Sequence, residues 1–136
     1  MANAQTHEDQ AKHNYKVLKE LQTNSECRDW QITVAFYTAL HVIDCELEKK
    51  TPDWKKKYMS QAVDSGWYPA RNEAINFCFR DIYNNYRMLM IKSRIMRYLE
   101  AEAANRKAID AITEEEAKNF INKHLGTILK RFNYSW

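Results

Sequence analysis

The sequence predicts an all-α fold, an up-down bundle of four to five helices in a single domain. Three observations predict it. Two glycines and two prolines among 136 residues are too few for strand-and-turn architecture. Lys, Glu, Ala, Met and Leu, all good helix formers, are plentiful. Apolar residues recur at steps of three and four along most of the chain. This length buries one hydrophobic core without help from metals or disulfides.

Thr6 followed by Asp9 reads as a helix start, and Ala11, Tyr15, Leu18 and Leu21 carry an amphipathic first helix to about Gln22. Asn24 or Ser25 offers the next N-cap, for a second helix reaching about Lys49. On that helix Ile32, Phe36, Leu40, Ile43 and Leu47 lie on one broad face, and Trp30, Val34, Tyr37, His41 and Cys45 on another. A helix apolar on two sides is buried on two sides, so it should be the centre of the bundle. Thr51-Pro52-Asp53 opens a short helix bearing Trp54, Tyr58 and Ala62, ended by Gly66. Pro69 opens a long helix with the stripe Ile75, Cys78, Ile82, Tyr86 and Leu89. It either runs through Tyr98 or kinks near Ser93, because Ser93 and Arg97 intrude on its apolar side. Thr113 and Glu116 form a capping box, Glu114 to Glu116 suit the positive end of the helix dipole, and Lys130-Arg131 suits the negative end. The core face of this last helix is Ala117, Phe120, Ile121, His124, Ile128 and Phe132. Residues 100 to 112 are the expected irregular connection, and the packed core should span about 6–132.

A net charge of +3 and a pI near 8.7 are compatible with nucleic acid but fall short of a dedicated binder's footprint. Cys27, Cys45 and Cys78 are odd in number and lack C-x-x-C spacing, so neither a disulfide framework nor a zinc motif is expected. The polar N-terminus has no signal-peptide pattern, and the most apolar run, Ile32 to Ile43, is too short for a bilayer. The expected setting is the reducing cytoplasm, with no membrane partner.

Two blocks carry a resemblance: D-W-Q-I-T-V-A-F-Y-T-A-L-H-V-I-D at 29 to 44 and Y-R-M-L-M-I-K-S-R-I-M-R-Y at 86 to 98. With the T-E-E-E-A start of the last helix, the chain resembles small stand-alone prokaryotic members of the HEPN superfamily over roughly residues 10 to 132. The resemblance implies a helical bundle that often dimerises, with activities from metal-independent RNA cleavage to non-catalytic nucleotide or partner binding. Many cleaving members carry Arg-x4-6-His on the third helix. Here the positions five to seven beyond Arg71 are Asn76, Phe77 and Cys78, and no other arginine has a histidine at that distance. Phenylalanine cannot exchange a proton, and Asn76 can hydrogen-bond a substrate but cannot act as a base.

The candidate residues fall into groups. Tyr37, His41 and Asp44 share one face of the second helix, as a structural polar patch or a ligand-facing site. Ser93, Arg94 and Arg97 are their natural partners. If the third helix packs beside the second, Arg97 reaches Asp44, as a register-fixing tie or as part of a phosphate site. Arg80, Arg87 and Arg94, with Asn76 and Asn84, form a basic stripe, either solvated or a track for a dimer partner or an RNA backbone. Arg71 and Asn72 occupy the place of the missing cleavage motif. The run K-K-T-P-D-W-K-K-K-Y at 49 to 58 has the composition of a stacking-plus-charge contact with single-stranded nucleic acid, or of a packed surface helix. His124 reads as a core histidine, and His7 and His13 offer no useful spacing. No phosphate loop, Ser-His-Asp set, metal cluster or cofactor motif emerges.

The leading expectation is a HEPN-like binding protein, a homodimer engaging RNA, a nucleotide or a protein partner such as an antitoxin without catalysis. One alternative is a metal-independent ribonuclease of a toxin-antitoxin or phage-defence system, with His41 and Arg71 in a rearranged site. The other is a structural or regulatory interaction module presenting Trp67, Tyr68 and Trp136.

Overall fold

The computed structural model describes residues 2–58 and 68–136, without the side chains of Tyr68 and Pro69. Six α-helices and no strand occur among the described residues: α1 (Ala4–Leu21), α2 (Arg28–Lys50), α3 (Trp54–Lys57), α4 (Tyr68–Cys78), α5 (Arg80–Tyr98) and α6 (Glu114–Arg131). The expected ends of the short helix, Ala62 and Gly66, lie outside the described residues, as does Trp67.

The caps explain most boundaries. Asn3, not Thr6, caps α1, its Oδ1 accepting from the Thr6 backbone N–H at 2.9 Å. Asn24 caps the single 3-10 turn Ser25–Cys27 that runs into α2. The capping box of α6 is closed both ways: Glu116 N–H donates to Thr113 Oγ1 at 3.1 Å, and Thr113 N–H to Glu116 Oε1 at 3.4 Å. Residues 99–112 hold two short 3-10 turns, with Leu99 and Ala101 in the left-handed backbone region at φ 55° and 47°.

The expected long helix from Pro69 to Tyr98 is instead two helices. Phe79, at φ −136° and ψ 51°, breaks the chain between α4 and α5. Its ring is buried and meets the ring of Phe132, the C-cap of α6, edge-on at 4.9 Å. No break occurs at Ser93, inside α5.

Helix α2 touches α1, α4, α5 and α6, as its two apolar faces require. Ile32, Ala35, Phe36, Ala39, Val42, Ile43, Cys45 and Leu47 are all sealed from solvent. Pairings fix the directions. His7 meets His41, so α1 and α2 are antiparallel; Tyr37 meets Arg97 while Lys50 reaches Cys78, so α5 runs against α2. Asn85 meets His124 and Asp81 meets Arg131, so α6 runs against α5. The four long helices therefore alternate up and down. Among the described residues, none of the helices is long and apolar enough to cross a membrane.

Two exposed positions of α6 should shift stability in opposite directions. Thr113→Ala removes the cap and is expected to cost about 1 kcal/mol. Gly126→Ala places its methyl where nothing lies within 4 Å and should gain about 0.5–1 kcal/mol from helix propensity. Urea unfolding of the two variants checks both signs.

Candidate functional site

Polar side chains along α2 define two places of interest, about two helical turns apart. The first lies in the C-terminal half of the helix. Asp44 is 1 % exposed, and a buried carboxylate needs a cation with matched donors. Arg71 of α4 supplies it: Nε donates to Oδ1 at 2.6 Å and Nη2 to Oδ2 at 2.9 Å, a two-pronged contact. The guanidinium lies 5.7 Å from the centre of the Trp54 ring, and Trp54 Nε1 donates to Glu48 Oε1 at 3.1 Å.

One turn before Asp44, His41 meets His7 of α1. The two Nδ1 atoms are 3.0 Å apart and the rings stack with centroids at 5.2 Å. His7 is buried, His41 half-buried. Burial lowers the pKa of both below the usual histidine range; the Asp44 carboxylate pulls each the other way without prevailing. One nitrogen from each ring and one Asp44 oxygen lie within 4.8 Å of one another. His7 had no spacing to recommend it in the sequence, yet it extends the buried stripe of Ala11 and Leu18. One signal could have found it. Folding the α1–α2 hairpin about Asn24 sets position 7 opposite position 41.

The second place is the N-terminal end of α2. Arg97 does not reach Asp44, contrary to expectation. Because α5 is antiparallel to α2, its C-terminal end meets Tyr37, while Asp44 sits seven residues, about 10 Å, further along α2 and faces α4. Arg97 Nη1 instead donates to Tyr37 Oη at 3.1 Å and Nε to the Ser93 carbonyl at 3.3 Å. Its guanidinium lies over the rings of Tyr37 and Tyr98, at 5.7 and 5.2 Å. Asp29, Trp30, Thr33, Met96, Arg97 and Tyr98 line a cleft of about 270 Å³ here. Trp30 and Tyr98 are each about 60 % exposed, at 59 % and 61 %. Among the described residues Arg97 has no ion pair. The sequence put Trp30 on a buried face; it is the rim of a cleft instead.

The remaining candidates separate. Ser93 is fully buried, its Oγ without a hydrogen bond among the described residues, and so is not ligand-facing. Asn72 is half-buried, its amide nitrogen 4.0 Å from Met90 Sδ. Asn76, Arg80, Asn84, Arg87 and Arg94 are exposed; Arg94 pairs with Glu100, and Arg80 and Arg87 form no ion pair among the described residues. Trp54 is 0 % exposed and Tyr58 8 %, so the lysine-rich run at 49 to 58 has no open aromatic face for a base. Its aromatics belong to the core. His124 is a packed histidine, with Asn85 Nδ2 3.2 Å from its Nδ1 and Phe120 edge-on at 4.6 Å. Compared with models of known families, with curated proteins and with solved structures, the chain gives no match.

Asp44→Ala strips Arg71 of its buried carboxylate and should destabilise the fold by about 3–5 kcal/mol, whereas the paired change Asp44→Leu with Arg71→Met should cost less than either half alone. Chemical denaturation of the three variants measures this. A pH effect follows from the histidines. His7, His41 and His124 all have folded pKa values pushed down by burial, so the unfolded chain takes up protons first, near about 6.5. Stability should fall as pH drops below about 6.5; His124→Gln should make that fall shallower.

Proposed function

We propose that this chain is a HEPN-like helical-bundle binding protein that engages single-stranded RNA at the Trp30–Arg97–Tyr98 cleft without cleaving it. The observation that carries the reading is Arg97, held over two tyrosine rings beside an exposed tryptophan, with no carboxylate paired to it among the described residues. An open aromatic face stacks any base, and a guanidinium next to it takes the adjoining phosphate. The cleft is smaller than a drug-sized pocket and suits one base. Asp29 at its wall offers an acceptor to a base amino group. The exposed Arg80 and Arg87 further along α5 extend the positive surface available to a strand.

Binding is favoured over cleavage by the state of the two groups a rearranged ribonuclease would use. The Arg71 fork is taken up by Asp44, so both of these prongs are turned from any phosphate. His41 faces His7 across 3.0 Å.

Fluorescence anisotropy with a labelled single-stranded RNA tests the reading. Trp30→Ala and Arg97→Gln should each weaken binding by about 5- to 150-fold, the range of one lost stacking contact, and added salt should weaken it further. The RNA should remain intact in EDTA. Equal affinity in both variants, or cleavage abolished by His41→Ala, would overturn the proposal.

A further inference from the structure

We propose that His7, His41 and Asp44 form a binding site for one divalent transition-metal ion of the zinc type. The inference is independent of the RNA reading, since His41 and Asp44 lie about three to four turns along α2 from Trp30, and His7 on α1 meets them there. Two imidazoles and a carboxylate are a donor set that first-row divalent ions take, commonly with a further position left to water. Geometry already gathers it. One nitrogen from each ring and an Asp44 oxygen are within 4.8 Å of one another, and the two Nδ1 atoms are 3.0 Å apart. Ligand atoms at about 2.0–2.1 Å from a tetrahedral ion stand about 3.4 Å from each other, so small side-chain adjustments complete the set.

The His7–His41 contact fixes which ring atoms are at hand. His7 is 6 % exposed, and its Nε2 has no hydrogen-bond partner among the described residues. Between two neutral imidazoles meeting at Nδ1, one must donate and the other accept. Either choice leaves Nε2 of His7, as a bare lone pair or as an unused N–H, buried and unanswered. Coordination through Nδ1 fixes the other ring nitrogen as an N–H. A metal replaces a single imidazole–imidazole hydrogen bond by two coordinate bonds. Both rings must be unprotonated for this, which their burial favours at neutral pH.

Arg71 fits the scheme as the group that orients the carboxylate. An ionised carboxylate has about four lone-pair sites, and the Arg71 fork uses two, leaving others for an ion. Charges around His7 are mixed: Asp44 and Glu48 favour a cation there, Lys55 and Arg71 oppose it. The site is therefore weaker than a closed thiolate site. His41, the half-buried member, gives the ion its way in.

The test uses the full chain without an affinity tag. Zinc titrated into it by calorimetry should bind one ion per chain, and cobalt in its place should give visible absorption from a nitrogen- and oxygen-ligated ion. His7→Gln and His41→Gln should each weaken binding by more than the about 10–100-fold typical of losing a supporting residue. His13→Gln and His124→Gln should leave it unchanged. Because a site variant can lose its fold, the unaltered chain is also melted with and without excess zinc; binding to the folded form raises the midpoint. Absence of saturable binding, a midpoint that fails to rise, or affinity untouched by His7→Gln in a folded variant would each overturn the proposal.

Discussion

Asp44 sits, buried, in the C-terminal half of a helix that is itself surrounded, and a carboxylate in such a place needs a cation brought to it from another element. Arg71 is that cation, and meeting Asp44 with both prongs sets where α4 must lie. The same logic runs along α2. Gln31 donates to the Leu21 carbonyl at the end of α1, Tyr37 is met by Arg97 of α5, His41 by His7 of α1, and Glu48 by Trp54 of α3. Glu46 accepts from Tyr134 beyond α6. These polar residues of the central helix are answered from α1, α3, α4, α5 and the segment after α6. Apolar packing supplies the driving force, but it is tolerant of sliding; these directional contacts are what select one register.

Much of the helical layout is legible in the sequence because its signals are local. Caps and charges at Thr113–Glu116 and Lys130-Arg131 act within one turn, and the doubly apolar pattern of α2 announces its central position. The break at Phe79 has no such signal. Ile75, Cys78, Ile82, Tyr86 and Leu89 keep helical spacing straight through it, and neither glycine nor proline marks the corner. The ring's seat against Phe132 is a tertiary contact, distant in the chain, that no local pattern announces.

The candidate site was legible by half for the same reason. His41 and Asp44 share a face of one helix, and periodicity places them together. Which residues come to meet them depends on how helices pair. The unbroken helix expected from Pro69 would have made Arg97 a reasonable partner for Asp44; the corner at Phe79 gives that role to Arg71 and leaves Arg97 to Tyr37. Composition likewise could not tell that Trp54 faces inward among its lysines while Trp30, on a largely buried helix, faces out.

The connection after α5 leaves its own mark on the cleft. Leu99 and Ala101 carry side chains in a backbone region that disfavours them, at about 1–2 kcal/mol each. That stored strain makes the stretch just beyond Tyr98 easier to unravel than the helices it joins. Trp30, Arg97 and Tyr98 all stand in regular helix, and the strained stretch begins just beyond them, at Leu99. Two helices thus set the shape of the cleft, and the strain is kept just outside it.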